Sequence, residues 1–232
     1  MASRIAVLGA GLQGACIALE LARRGCEVEV FEREARVLTG ASANNEGKIH
    51  LGYVYANDTS FDTARLMIRG ATSFAPLLRR WIDGAVDRIT VSRPFQYAVH
   101  RDSLLTCDEL QVRYDAITGL LRDEVGGEAA DYFGADPCAP VVRLPPSAQA
   151  ADFGGHVAGV FQTTELAVDP EDLMAEVGAA LAADPRITIH TGATALAVRP
   201  QADGASVEIA GHEAGRFDHV VNASWDSLLD LD

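Results

Sequence analysis

The chain has 232 residues, 48 % of them apolar, which is enough to bury a sizeable core in one large domain or two small ones. A formal net charge of −14 argues against a surface built to neutralise nucleic-acid phosphates or to dock on an anionic membrane, because both demand an excess of lysine and arginine. Cys16, Cys26, Cys107 and Cys138 show neither CxxC spacing nor the density of a disulfide scaffold, a pattern of small buried hydrophobes in a reducing compartment.

RIAVLG, from Arg4, has the apolar continuity of a buried parallel strand closed by glycine. LQGACIALELARRG predicts a helix ending at Gly25, where glycine accepts a left-handed conformation, and EVEVFE is the next strand. The apolar run through this segment is not a secretory signal. Only Arg4 precedes it, Gln13 and Glu20 interrupt it, and no cleavage site follows. It is also too polar to span a bilayer, so a cytoplasmic protein without a membrane span is expected.

Thr39 to Asp58 (TGASANNEGKIHLGYVYAND) is rich in glycine, asparagine and small residues and is expected to be an extended, functional loop. TSFDTARLMIRGATSFAPLLRRWI predicts a helix with Phe61, Leu66, Met67, Phe74, Leu77, Leu78 and Trp81 near one stripe and a kink near Gly70 and Pro76. PFQYAVH is strand-like, CDELQVRYDAITGLLRDEV helical, and Gly126 to Pro146 irregular with four prolines; a separate lobe is expected here. DPEDLMAEVGAALAA predicts a helix with Asp169 as N-cap, Pro170 at its first position and Asp172 near its positive end. ITIHTG, ATALAVRP, ASVEIA and FDHVVNAS are strands, expected to form a small antiparallel insert that leads back into the sheet.

Gly9, Gly11 and Gly14 form GxGxxG between a strand and a helix, the context in which this otherwise weak pattern becomes specific. The reason is steric and electrostatic. Gly9 permits the tight turn, Gly11 lets backbone approach a pyrophosphate, and Gly14 lets the helix pack closely, while the helix N-terminus presents N–H groups and the positive end of its dipole. Glu32, at the end of the second strand, can accept hydrogen bonds from an adenosine ribose and would repel a 2′-phosphate, which disfavours NADP. NAD and FAD share the ADP half. The polar loop after the acid, in place of an immediate second crossover helix, suits the longer cofactor.

With the ASANNEGKIHLG loop, the VDPEDLM helix start and the FDHVVNAS strand, the chain resembles the D-amino-acid oxidase/glycine oxidase family of FAD-dependent oxidoreductases. The loop segment GKIHLGYVY is also similar to relatives that oxidise 2-hydroxy acids. The resemblance implies an α/β protein. It has a Rossmann-like FAD-binding domain of the GR2 type, a parallel sheet with a small antiparallel insert, interleaved with part of an α+β substrate lobe. The FAD-binding domain would comprise residues 1–90 and 169–232, and the lobe 91–168. Gly9, Gly11, Gly14, Glu32 and Arg33 would hold the ADP half; Ser42, Asn44, Asn45, Gly47 and Lys48 would lie along the pyrophosphate, ribityl chain or flavin ring. Two departures are visible: Ser224 and Trp225 stand where family members commonly carry glycine, and such enzymes usually continue for more than a hundred further residues. A fragment, with an incomplete sheet, is therefore expected.

His50 is the candidate proton acceptor, and Lys48 a candidate positive charge beside the flavin; both are equally compatible with ordinary loop contacts. Arg65, Arg69, Arg93 and Arg101 are candidate partners for a substrate carboxylate. Metal chemistry is not suggested by the spacing of His100, His156, His190, His212 and His219, and no GxSxG elbow is present. The expected function is oxidation of a small amino or 2-hydroxy acid by hydride transfer to FAD, with dioxygen or a quinone as electron acceptor and no nucleic-acid partner. An NAD-linked dehydrogenase and a non-catalytic nucleotide-binding module or degenerate fragment are the alternatives.

Overall fold

The computed structural model describes residues 2–82, 84–127, 130–146, 155–210 and 212–231. In chain order the elements begin with β1 (Arg4–Leu8), α1 (Leu12–Arg23), β2 (Glu27–Glu32), β3 (Lys48–Ile49), α2 (Asp62–Trp81) and β4 (Gln96–His100). They continue with α3 (Cys107–Val125), β5 (Val142–Arg143), β6 (Val157–Gln162), β7 (Leu166–Ala167), α4 (Pro170–Ala183) and β8 (Ile187–Thr191). The last four strands are β9 (Ala195–Gln201), β10 (Gly204–Ile209), β11 (His212–Phe217) and β12 (His219–Asn222). These elements pack as two compact units, one of Met1–Glu46, Trp81–Ile89 and Pro170–Asp232, the other of Gly47–Arg80 and Thr90–Asp169. The boundaries differ from the expected 90/91 and 168/169 chiefly in residues 47–80, which pack with the second unit.

The first unit is built on a parallel sheet of order β12-β1-β2-β8, with Val7 opposite Val30 on one side and Val221 on the other. Ala6, Val7 and Leu8 are wholly buried, as a parallel strand covered on both faces requires. Helix α1 crosses β1, β2 and β8 and packs against α4. Its small buried face of Gly14, Ala15, Ala18 and Ala22 permits that close approach. Gly25, at φ +88°, ends the helical turn as expected.

Strand β8 belongs to this parallel sheet, with Val28 opposite Ile187, and not to the antiparallel insert in which ITIHTG was expected. The insert is β9-β10-β11, and β11 was not anticipated because its HEAGRF segment lacks the apolar alternation of a strand. A common core of Ala6, Leu8, Phe31, Val207, Ile209 and Phe217 joins sheet and insert, with Phe31 and Phe217 meeting edge to face at 5.9 Å.

In the second unit, β4-β6-β5 form an antiparallel sheet and β3 pairs with β7. Helix α3 opens on a capping box between Thr106 and Glu109 and buries Leu110, Tyr114, Ile117 and Leu121. Tyr114 packs edge-on against both Tyr53 and Phe161. In α2 the buried face is Ala64, Ile68, Ala71, Ala75 and Leu78, and the helix continues through Gly70 and Pro76. Leu66, expected in the apolar stripe, is 58 % exposed. At Ala64 a small residue is required because Gly52, at φ +101°, sits against the helix: a Cβ on it would lie 2.8 Å from that of Ala64.

A candidate dinucleotide turn and a buried carboxylate

The segment from β1 into α1 forms an interlocked turn. Gly9 adopts φ +96°, and its N–H donates to the Phe31 carbonyl at 2.8 Å, tying the turn to β2. A Cβ on Gly9 would lie 2.5 Å from the Ala223 carbonyl oxygen, and one on Gly14 2.0 Å from that of Gly9. Both positions therefore exclude any side chain, as their spacing implies. Gly11 differs, since its Cβ would meet only the Ser42 hydroxyl, at 3.2 Å.

First-turn amides of a helix lack intrahelical acceptors. Helix α1 carries no acidic residue in its first turn, and its N-cap, Gly11, offers no side chain. The Leu12 N–H donates instead to Ser42 Oγ, at 2.8 Å, which leaves the hydroxyl proton of Ser42 to donate elsewhere. Glu32 is buried at the end of β2. Its Oε2 accepts from the Ala10 N–H at 2.7 Å and its Oε1 from the Glu34 N–H at 2.9 Å. An ionised carboxylate has about four acceptor sites, so two N–H donors leave capacity for ribose hydroxyls. A backbone cradle with positive polarity and a neighbouring carboxylate acceptor fits the diphosphate and ribose of an ADP moiety.

The other candidate residues fall into two groups. Arg33 is exposed and ion-paired to Asp226 at 2.8 Å, which raises its pKa. Asn44 Nδ2 donates to the Gly40 carbonyl at 2.7 Å, and Asn45 Nδ2 to that of Ser42 at 2.7 Å, so these amides brace the loop. Gly47, at φ +61°, Lys48 in β3 and His50 belong to the second unit, where the Val168 N–H donates to the Gly47 carbonyl at 3.0 Å. Lys48 is exposed and His50 half-buried. Arg65, Arg69, Arg93 and Arg101 are all exposed.

Sequence reasoning missed Glu165. Its side chain has no exposed surface, and Oε1 accepts from the N–H groups of Leu51, at 2.7 Å, and Tyr53, at 3.3 Å. Oε2 accepts from the Tyr97 hydroxyl and lies 3.3 Å from His50 Nδ1. Burial first, and the adjacent carboxylate second, push the Tyr97 phenol well above its ordinary range. Nothing local in TTELAVD separates this glutamate from a solvated one. Tyr53 is buried, with its hydroxyl 3.1 Å from that of Thr118, whereas Tyr55 is exposed beside His50.

The sheet order and the turn define a Rossmann-like dinucleotide-binding fold. The family described as FAD dependent oxidoreductase matches residues 4–230, and the chain belongs to that family. FAD, and not NAD, is thus its cofactor class. A curated relative is the tRNA 5-methylaminomethyl-2-thiouridine biosynthesis bifunctional protein MnmC of Shewanella baltica. It is 26 % identical over 245 residues, covering 99 % of this chain and 30 % of the relative. Among solved structures, glycine oxidase from Geobacillus kaustophilus aligns with a TM-score of 0.67 at 20 % identity, over 98 % of this chain and 57 % of that one. L-proline dehydrogenase from P. horikoshii aligns at 0.66 and 16 %, over 99 % and 55 %. These two likenesses establish the fold. The chain spans less than a third of the MnmC relatives that it matches along its full length. Among the described residues no cluster of metal-ligating side chains occurs, and no helix is long and apolar enough to cross a membrane.

Proposed function

We propose that this chain holds the ADP half of FAD through the Gly9–Gly14 turn and Glu32, and that it serves an enzyme oxidising the carbon–nitrogen bond of a small amino acid. The observation that carries this reading is the buried Glu32 carboxylate bonded across the glycine turn to the Ala10 N–H. Bound FAD supplies a two-electron acceptor for a hydride from the substrate carbon. Gly9 and Gly14 hold the turn and the N-terminus of α1 against the diphosphate, and Gly11 leaves room for it. Ser42 accepts from Leu12 and would have its own proton left to donate to the diphosphate. Glu32 accepts from ribose hydroxyls. Arg33, through its pair with Asp226, braces the end of β2. In the second unit, His50 is the residue to which we assign receipt of a substrate proton, with Lys48 an exposed cation on β3. The likeness to glycine oxidase and L-proline dehydrogenase favours an amino over a 2-hydroxy acid donor.

The name of the curated relatives supports a second reading, in which the amine is carried on tRNA. The net charge of −14 weighs against it for the surface of this chain. Titration with FAD, followed by anaerobic bleaching of the flavin, tests both. Bleaching by free glycine or proline is expected. No flavin uptake would overturn the proposal, and bleaching by total tRNA alone would establish the second reading.

A further inference from the structure

We infer that Glu165 is a positioning residue that fixes the His50 tautomer with its proton on Nδ1, leaving Nε2 to accept a proton from the substrate ammonium. This rests on the proposed amino-acid oxidation. Four groups converge on the one carboxylate, two per oxygen, which matches its acceptor capacity. Three of them can only donate to it: the N–H groups of Leu51 and Tyr53, and the Tyr97 hydroxyl, which burial keeps protonated. The fourth is His50 Nδ1, at 3.3 Å from Oε2.

An imidazole nitrogen without a proton would turn its lone pair toward that oxygen, a repulsive contact beside a buried carboxylate. A protonated Nδ1 donates a charge-assisted hydrogen bond instead. The carboxylate has no exposed surface, while the His50 side chain keeps 27 % of its own. The dyad therefore runs from a fixed interior group to an accessible ring. Rigidity comes from the backbone: by holding the N–H groups of both Leu51 and Tyr53, Glu165 clamps the Gly52 turn directly after the histidine. Tyr55 packs edge-on against the ring, with centroids 6.2 Å apart, and limits its rotation.

The step assigned to His50 is a proton transfer. The N–H bond of the substrate ammonium breaks, its electron pair stays on the substrate nitrogen, and a new N–H bond forms at Nε2. The amine so formed is the species able to lose hydride from its α-carbon. The ring so protonated keeps its Nδ1–H directed at Glu165 Oε2.

Long-range proton–nitrogen correlation of the imidazole in the full chain reads the tautomer without FAD. Wild type should show the proton on Nδ1 and a bare Nε2. Glu165→Gln should move the main population to Nε2–H and, in the FAD-loaded enzyme, lower kcat about 100-fold with KM changed less than about threefold. Tyr97→Phe, which removes only one hydroxyl from Oε2, should keep the wild-type tautomer. If Glu165→Gln fails to fold, the wild-type and Tyr97→Phe spectra decide. A wild-type proton on Nε2, or a Gln variant with unaltered tautomer and kcat, overturns the inference. A Glu165-dependent tautomer in a chain that takes up no FAD would sink the proposed function and leave the positioning role standing.

Discussion

Replacing Gly14 by alanine sets two effects of opposite sign against each other. Gly14 lies inside α1, where alanine is favoured over glycine by about 0.5–1 kcal/mol, so helix propensity alone makes the variant more stable. The new Cβ, however, falls 2.0 Å from the Gly9 carbonyl oxygen and 3.1 Å from its carbonyl carbon. The first contact is roughly 1.5 Å short of an ordinary van der Waals separation of about 3.5 Å. Neither neighbour is the tip of a flexible side chain. Gly9 cannot retreat, because its N–H is bonded to Phe31 and its own Cα faces the Ala223 carbonyl. Helix α1 must lift from the sheet instead, and overpacking of this kind costs about 1–3 kcal/mol. With backbone as the obstacle the upper end applies, so about 3 kcal/mol against at most about 1 kcal/mol leaves a net loss of about 2 kcal/mol. For a chain of this size that lowers Tm by about 4–8 °C. Far-ultraviolet circular dichroism melts of wild type, Gly14→Ala and Gly119→Ala measure it. Gly119 is a helical control in α3 with no atom within 4 Å of an added Cβ, and alanine there should stabilise. A Gly14→Ala protein that melts at or above wild type, beside a normally behaving control, would refute the interlocked turn.

Gly11→Ala should separate folding from binding: its Cβ meets only the rotatable Ser42 hydroxyl, so the melt should stay near wild type while FAD affinity falls at least about tenfold, about 1.4 kcal/mol, in a fluorescence titration. Glu32→Gln places amide hydrogens toward the Ala10 or Glu34 N–H and should lose about 1–3 kcal/mol in urea denaturation as well as weakening FAD binding. Burial raises the phenols of Tyr53, Tyr97, Tyr114 and Tyr132, that of Tyr114 to about 12. The folded state holds these protons more tightly than the unfolded chain, so the stability they contribute is complete below the ordinary phenol pKa of about 10 and declines as pH rises beyond it. An ultraviolet titration should therefore show phenolate formation in the folded protein displaced to higher pH than in the urea-unfolded chain, and coincident curves would contradict the buried cluster. Burial likewise pushes the Cys16 thiol up to about 12, so brief treatment with iodoacetamide at pH 8 should leave Cys16 unmodified in peptide mass spectra, and its rapid labelling would show that α1 is not seated as described.

Spacing alone determined the β1–α1–β2 unit. A buried strand, three glycines and a terminal acid each carry their own steric or electrostatic meaning, and all five fall within 32 residues of the start. Helices α3 and α4 were equally legible, because amphipathic period and capping residues act within a few turns. Choice of partner was not legible. ITIHTG suits either a parallel or an antiparallel neighbour, and only the packing placed β8 beside β2. In α2 the largest side chains suggested a stripe, yet the buried face is largely alanine, and at Ala64 the approach of Gly52 demands small volume. Glu165 is the clearest case. Its meaning comes from Leu51, Tyr53, Tyr97 and His50, which lie 68 to 115 positions away along the chain. Local chemistry sets what a segment can become, but a buried charge is defined by the donors that folding brings to it, and those contacts have no footprint in neighbouring residues.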